Sequence, residues 1–138
     1  MTTDLISLRD RVMTLTVADR EVDHRLLSLA GWKLELLPGS NAEYWTNGDG
    51  ERTYFRGEAP NFTSSVDAIL ALIERELPTL GANVWSWPGG PHKATLGTRE
   101  IDFAEYMAPV GSGEGPTMAI ALCLAFLRAI QSEEASNG

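Results

Sequence analysis

The stretch GSGEGPTMAIALCLAFLRAI, residues 111–130, places three glycines directly before a nearly unbroken apolar run. From Met118 to Ile130, twelve of the thirteen residues are apolar, and Arg128 is the only exception. A helix with one face in water is apolar at only about half of its positions, so this run predicts a helix, residues 116–131, that is covered on both sides. Cys123 is expected to act there as a small buried apolar side chain.

The glycines raise the question of a phosphate-binding loop. Such loops follow the patterns G-x-x-x-x-G-K-[ST] or G-x-G-x-x-G, and the segment Gly111–Pro116 matches neither. It contains no lysine, Glu114 stands where an anion would bind, and Pro116 removes a backbone donor. We therefore predict a mobile connector, with Pro116 in the first turn of the following helix.

Apolar spacing of three or four residues predicts three further helices, at about residues 4–14, 17–30 and 65–77. Thr16 is the expected N-cap of the second of these helices. Ser64 or Ser65 is the expected N-cap of the third, which should end before Pro78.

Alternation of polar and apolar residues predicts the strands. They are KLEL (33–36), a hairpin of AEYWT (42–46) and RTYFRG (52–57) around NGDGE (47–51), and two or three strands from ANVWSWP (82–88), KATLG (93–97) and REIDFAEYMA (99–108). The pattern indicates an α+β fold, a single-domain alpha-beta-alpha sandwich over residues 1–131. Its mostly antiparallel or mixed sheet is expected to hold about five or six strands flanked by helices, with residues 132–138 as a flexible polar tail.

Composition narrows the classes of partner. The chain of 138 residues has a formal net charge of -8, and Lys33 and Lys93 are its only lysines. Because no basic block exists, duplex nucleic acid is not an expected partner. One cysteine excludes an intrachain disulfide. With no signal peptide and no apolar run near the ~20 residues that span a bilayer, a cytoplasmic protein without a membrane partner is expected.

No residue pattern indicates an enzyme, a cofactor or a metal site. The motif G-x-S-x-G is absent, and the only histidines, His24 and His92, lie far apart along the chain, so His24 is expected on a helix surface and His92 in an exposed turn. Three acidic residues lie on one predicted strand segment, Glu100, Asp102 and Glu105, and the first two share a face. Acid–base chemistry there stays open beside the simpler interpretation of a solvent-facing strand side. No catalytic residue is predicted.

Aromatic residues and arginines on the predicted strands are the candidate ligand-binding residues. Side chains of this kind form platforms that stack on a planar, charged ligand such as a nucleotide. The alternative is that the rings form the core beneath the helices. The candidates are Trp45, Tyr54, Arg56, Trp87 and Arg99.

Three segments together resemble a known family. They are ADREVDHRLLSLAGWK (18–33), NFTSSVDAILALIERELP (61–78) and PTMAIALCLAFLRAI (116–130). Their order and separation are similar to those of the phage ABA sandwich domain, in which a DRELD…LGW segment, a YTxSLDAALALVE helix and a TPALALCxAxLRA helix follow one another. Phe62 replaces the usual tyrosine, and Pro116-Thr117 inverts the usual order.

The resemblance implies an alpha-beta-alpha sandwich encoded by a bacterial virus or prophage, and no catalytic residues to carry over. The expected function is therefore that of a non-enzymatic accessory protein in the bacterial cytoplasm. It would sequester a host protein or a nucleotide-type signalling molecule, with an anti-defence role. The alternative is a structural or interaction module that forms a homodimer or higher oligomer and has no small-molecule ligand.

Overall fold

The computed structural model describes residues 2–36, 38–47, 53–99 and 107–137, which form four α-helices and six β-strands. In chain order they are α1 (Thr2–Met13), α2 (Arg20–Leu29), β1 (Lys33–Leu36), β2 (Glu43–Thr46), β3 (Thr53–Phe55), α3 (Val66–Glu76), β4 (Gly81–Ser86), β5 (His92–Arg99), β6 (Met107–Gly115) and α4 (Met118–Asn137). A short 3₁₀ helix, Arg56–Glu58, follows β3. Residues 48–51 of the predicted hairpin turn and 100–106 of the predicted strand REIDFAEYMA lie outside the described residues.

Helix α2 begins later than the sequence pattern predicts. The Asp19 carboxylate accepts hydrogen bonds from the backbone N–H groups of Glu21 (2.9 Å) and Val22 (3.2 Å), so Asp19 is the N-cap. The prediction of Thr16 as the cap was wrong. Both residue types cap helices well, but the Asp19 carboxylate also forms an ion pair with Arg11 (2.9 Å), which a threonine hydroxyl cannot form.

Helix α3 has the cap and the end that the sequence predicts. The Ser65 hydroxyl oxygen accepts a hydrogen bond from the Ala68 N–H at 3.2 Å, which selects Ser65 over Ser64 as the N-cap. The helix ends at Glu76, two residues before Pro78. A residue before proline is disfavoured in helical conformation, which accounts for this end.

The strands form two antiparallel sheets of three strands each. We call β1-β2-β3 the first sheet and β4-β5-β6 the second sheet. The α+β class is confirmed, but each sheet has fewer strands than the five or six predicted for one sheet. Helix α3 separates the two sheets along the chain, and alternation within a strand does not reveal which strand edges pair.

Helix α4 lies between the second sheet and two helices. It packs against β5 and β6 on one side and against α1 and α3 on the other. Residues 119–127 and Ala129 are all buried, which confirms that the helix is covered on both sides. The helix extends to Asn137 and thus into the segment where a flexible tail was expected. No helix among the described residues is long and apolar enough to cross a membrane.

The predicted glycine connector is instead the second half of strand β6. Gly111, Gly113 and Gly115 alternate along it and face α4. A Cβ atom at these positions would lie 2.5 Å from the Ala125 carbonyl oxygen, 2.7 Å from the Ala121 carbonyl oxygen and 2.9 Å from Ile120 Cγ2, respectively. Glycine weakens a strand unless another backbone approaches closely. Here the helix backbone does so, and the prediction of a mobile connector was wrong.

Candidate functional site

The five residues predicted to form a ligand platform lie in two different sheets. Trp45 on β2 is directly opposite Tyr54 on β3, so their side chains share one face of the first sheet. Arg56 follows β3, whereas Trp87 follows β4 and Arg99 ends β5 in the second sheet. The last two positions are at opposite ends of β5, about 20 Å apart at 3.3 Å per residue. The five residues therefore do not form one surface.

Arg56 and the residues of the second sheet face solvent or lie outside the described side chains. The Arg56 guanidinium donates to the Glu43 carboxylate at 2.9 Å, in an exposed ion pair. The Trp87 side chain is exposed. The side chain of Arg99 is not among those that the structure describes.

Trp45 belongs to the core, where it contacts His24. Its ring is buried, and its centroid lies 5.7 Å from that of the His24 ring. His24 is half-buried, which corrects the expectation of a helix-surface histidine. Neither Trp45 Nε1 nor His24 Nε2 has a hydrogen-bond partner among the described residues. For Trp45, the core alternative is thus the one that the structure supports.

An aromatic cleft lies beside Tyr54 of β3, between the end of α2 and helix α3. Its cavity of about 150 Å³ has a buried floor and a more exposed rim. The floor consists of Leu27, Trp32, Phe62 and Leu72, and the rim of Tyr54, Pro60, Ala68, Ala71 and Arg75. Two larger depressions of about 320 Å³ lie between α1 and α2 and beside β6. No aromatic ring is among the described residues that line those two depressions, so the cleft is the candidate site.

A helix-ending motif positions Trp32 in the floor of the cleft. The Gly31 N–H donates to the Ser28 carbonyl (3.0 Å) and the Trp32 N–H to the Leu27 carbonyl (3.2 Å), the two hydrogen bonds of a Schellman motif. Gly31 has a φ of +95°, which glycine adopts without strain. The motif brings Trp32 against Leu27, and both side chains line the cavity.

Helix α3 supplies the second wall of the cleft and its cation. Ala68, Ala71, Leu72 and Arg75 recur at spacings of three and four, so they lie on one face of the helix. The two alanines leave room that larger side chains would fill. At the end of this face, the Arg75 guanidinium carbon lies 5.5 Å from the centroid of the Trp32 ring, a cation–π contact.

Electrostatics at the rim are dominated by Arg75. Its side chain is 47% exposed, and its Nε lies 3.7 Å from the Glu76 carboxylate, a long ion pair in water. Beneath it, the rings of Trp32 and Tyr54 lie 5.2 Å apart, tilted by 34°. The cleft therefore offers two ring surfaces and one guanidinium, which are the groups that bind a planar ring and an anion.

The loop that carries Pro60 and Phe62 is fixed by a buried aspartate. Asp23, 1% exposed, accepts from the Thr63 N–H and the Thr63 hydroxyl, each at 2.8 Å. Its other oxygen accepts from Arg20 at 2.9 Å, and Arg20 also donates to the Ala59 carbonyl at 2.9 Å. Two sides of the loop are thus tied to α2, which holds the cleft wall in place.

Sequence reasoning did not identify this network, although its residues fall in the segment ADREVD. Asp19 extends it, since its backbone N–H donates to the Thr63 hydroxyl oxygen at 2.9 Å. Burial alone would raise the pKa of Asp19, but hydrogen bonds from Arg11, Val22 and Glu21 outweigh that effect and lower the pKa below its ordinary value of 3.8. Asp19, Arg20 and Asp23 of this segment thus hold the loop against α2.

The part of the chain that the structure describes brings none of the other residues considered for chemistry together in a site. His92 pairs with Ser86 at the end of the β4–β5 hairpin, with 2.7 Å between His92 Nδ1 and the Ser86 hydroxyl oxygen. Glu100, Asp102 and Glu105 lie outside the described residues. Within the part of the chain that the structure describes, no three histidine, cysteine, aspartate or glutamate residues are grouped to hold a metal ion.

Comparisons with family models, curated proteins and solved structures found no match to this chain. The likeness to the phage ABA sandwich domain thus stays a prediction based on the three segments quoted above. Its motif residues can be placed in the structure: Asp19, Arg20 and Asp23 form the loop network, and Trp32 forms the floor of the cleft.

Proposed function

We propose that this protein is a non-enzymatic binding protein whose aromatic cleft takes a small nucleotide-type ligand. The observation that carries the proposal is the arrangement of Trp32, Tyr54 and Arg75. Two rings 5.2 Å apart line an apolar cavity, and a guanidinium lies 5.5 Å over one of them. A ligand with one planar ring and one anionic group matches these surfaces.

The size of the cavity limits what enters it. A cavity of about 150 Å³ accommodates about one aromatic ring, as apolar cavities of this size bind benzene. We therefore expect the base of a nucleotide to contact Tyr54 and the floor of the cleft, while its phosphate lies outside near Arg75. Stacking of a base on an aromatic side chain contributes about 1–3 kcal/mol, and a guanidinium–phosphate contact adds a charge-assisted hydrogen bond.

The family resemblance supports a biological setting for this binding. A small phage or prophage protein with such a cleft would act in the cytoplasm of the bacterial host by sequestering a nucleotide-type signalling molecule. Sequestration needs binding alone, which agrees with a site built from rings and one cation. An anti-defence role follows if the sequestered molecule is a signal in the host's immunity.

Thermal unfolding with a panel of cyclic and linear nucleotides tests the proposal. A ligand present at a hundred times its Kd is expected to raise Tm by about 10 °C, since it stabilises the folded state by about 2.7 kcal/mol. Arg75→Ala should reduce this shift by more than half. Arg56→Ala, the matched control, removes an arginine of similar exposure from the 3₁₀ helix that follows β3 and should leave the shift unchanged.

Two outcomes would contradict the proposal. One is that no nucleotide raises Tm of the folded wild-type protein at millimolar concentration. The other is that a nucleotide raises Tm equally in wild type, Arg75→Ala and Tyr54→Ala, because binding would then occur elsewhere. Circular dichroism of each variant without ligand shows whether it folds before it is compared.

A further inference from the structure

Strand β4 is an open edge of the second sheet. The order β4-β5-β6 places it at one side, with β5 as its only neighbour among the described strands. Five of the six residues Gly81–Ser86 are exposed, and Val84 is half-buried. An edge strand presents backbone N–H and C=O groups on which another strand can pair.

The two edges of this sheet differ in how they are protected. Strand β6 contains Pro109 and Glu114, and the Arg128 guanidinium donates to its Ser112 carbonyl at 2.9 Å. Proline, charge and a covering side chain are the devices by which proteins block unwanted strand pairing. Residues Gly81–Ser86 contain neither a charged residue nor a proline. Within the described residues, the β6 edge carries these devices, and strand β4 carries neither proline nor charge.

Two large aromatic side chains flank this free edge. Trp85 is 44% exposed and Trp87 is 52% exposed. Trp85 is in register with Lys93, on the face of the sheet opposite to the buried Ala94 and α4. Exposed tryptophans held close together are typical of interfaces rather than of free surface.

A tight turn holds Trp87 in place. The Gly90 N–H donates to the Trp87 carbonyl at 3.0 Å, and Gly89 has a φ of +72°. With Pro88 at the second position, these are the features of a type II turn. The backbone at Trp87 is therefore defined by the turn, which lowers the backbone entropy lost when this corner is covered.

We propose that β4 pairs antiparallel with β4 of a second copy of this chain. The two three-stranded sheets would then form one six-stranded sheet about a twofold axis perpendicular to it. Residues opposite each other in a sheet share a face, so the axis must pass midway between the two copies of one residue, which then lie opposite each other. With the axis at Val84, Trp85 lies opposite Asn83 of the partner subunit, and Trp87 opposite Gly81 of the partner subunit.

Self-pairing fits the chemistry of this strand. The chain carries a net charge of -8, which repels a second copy, but none of that charge lies on Gly81–Trp87. No like charges therefore meet across the axis, and no charge on the strand selects a different, charged partner. The indole of Trp87 would cover the partner's Gly81, where no side chain obstructs it.

The area agrees with a dimer of moderate affinity. The exposed parts of the two indoles amount to about 240 Å² per copy, if a tryptophan presents about 250 Å². With the paired backbone, a total of about 1,000–1,200 Å² is expected, at the lower end for specific interfaces. Interfaces at this end of the size range are often weak, so we expect a Kd in the micromolar range, about 1–100 μM.

Sedimentation equilibrium of the full chain between 1 and 300 μM tests the pairing. Wild type should shift from monomer to dimer across this range. The double variant Trp85→Glu/Trp87→Glu should remain monomeric at 300 μM. Phe55→Glu, which places one such charge on an aromatic residue that is 54% exposed in the first sheet, should dimerise like wild type. A monomeric wild type, a double variant that dimerises, or loss of the dimer in Phe55→Glu would overturn the proposal.

Cross-linking fixes the register and does not depend on the glutamate variants. In the proposed pairing the two Val84 Cα atoms lie about 4.5–5.5 Å apart, within the range of a disulfide. Val84→Cys should form an intermolecular disulfide on mild oxidation. Asn83→Cys should not, because the two positions are diagonal and about 7–8 Å or more apart. Wild type is the control for cross-linking through the buried Cys123, which both variants retain.

Equal cross-linking of both variants, or of neither, contradicts this register. The dimer is independent of the nucleotide cleft, which contains no residue of the second sheet.

Discussion

Gly113 lies so close to Ala121 that a Cβ atom on the glycine would be 2.7 Å from the alanine carbonyl oxygen. The same atom would lie 2.8 Å from the backbone nitrogen of Ala125. Strand β6 and helix α4 thus touch backbone to backbone, without an intervening side chain. This contact accounts for a strand in which every second residue from 111 to 115 is glycine.

Replacing this glycine tests the close packing. Gly113→Ala should lower the free energy of unfolding by about 1–3 kcal/mol or more, because backbone atoms must shift to admit the methyl group. Gly57→Ala is the matched control, since a Cβ atom on Gly57 meets nothing within 4 Å. Its effect should be within about 0.5 kcal/mol. Urea unfolding at neutral pH measures both, and equal stability of the two variants contradicts the close packing.

The loop network predicts coupling between Asp23 and Thr63. Asp23→Ala leaves two buried donors of Thr63 without an acceptor and should cost about 3 kcal/mol of stability. Thr63→Val removes the hydroxyl but keeps the shape, and should cost about 1–2 kcal/mol. The double variant should lose about 1 kcal/mol less than the sum of the single losses.

The control for this cycle is an aspartate on the surface. Asp10 pairs with Arg9 at 3.1 Å, and its side chain is 60% exposed. Asp10→Ala should therefore change stability by about 0.5 kcal/mol or less. If Asp23→Ala costs no more than Asp10→Ala, or if the losses in the cycle simply add, the buried network does not hold the loop.

Stability should depend on pH through Asp19. Its pKa is lowered in the folded state, so the unfolded chain takes up a proton first as the pH falls through about 3.8. The contribution of its charge is therefore complete at neutral pH and is lost in acid. Asp19→Asn keeps a good helix cap but removes the ion pair with Arg11.

Unfolding of wild type and Asp19→Asn between pH 7 and pH 2.5 checks this sign. The difference in stability between the two proteins should be constant from pH 7 to about pH 5 and shrink below pH 4. A difference that stays constant, or that widens in acid, would mean that the pKa of Asp19 is not lowered by folding.

Cys123 should be unreactive until the protein unfolds. Burial raises the pKa of its thiol far above the usual range, and the negative charge of Asp23 raises it further. Only the thiolate attacks disulfide reagents, so labelling at pH 8 should be at least about a thousandfold slower in native protein than in denatured protein. Rapid labelling of the native protein by a chromogenic disulfide reagent contradicts the burial of this helix face.

Helices were the most predictable part of this fold. Periodicity predicted three of them and the apolar run from Met118 to Ile130 the fourth, and the cap at Ser65 and the stop before Pro78 are local signals that tertiary structure did not override. The prediction of Thr16 as N-cap was wrong because Asp19, three residues later, caps a helix as well and also forms an ion pair with Arg11 on another helix. Competition between two good caps is decided by contacts that a local pattern does not contain.

The second sheet was harder to predict. Glycines at 111, 113 and 115 were interpreted as a connector because glycine is common in loops. Their spacing of two, opposite alanines at 121, 125 and 129 with a spacing of four, was the available signal for a strand packed closely on a helix. The division into two sheets had no comparable signal, since edge pairing depends on the placement of α3.

The types of side chain in the candidate cleft were predicted from the sequence, but most of the particular residues were not. Aromatic rings with an arginine were expected, and Tyr54 is the one proposed residue that lines the cleft. Trp32 follows one helix and Arg75 lies on another, so alternation along strands does not reveal that they meet. Their contact is a tertiary one, 43 positions apart in the sequence.

The indole N–H signals of the four tryptophans give the most direct test of the cleft. In ¹H–¹⁵N NMR spectra, with Trp32 assigned from a Trp32→Phe variant, the protein is titrated with the nucleotide that most raises Tm, or with each nucleotide of the panel in turn. We expect the Trp32 signal to shift and saturate, while those of Trp85 and Trp87 stay in place. An unmoved Trp32 signal at saturating nucleotide, or shifts confined to Trp85 and Trp87, would contradict the proposed binding site.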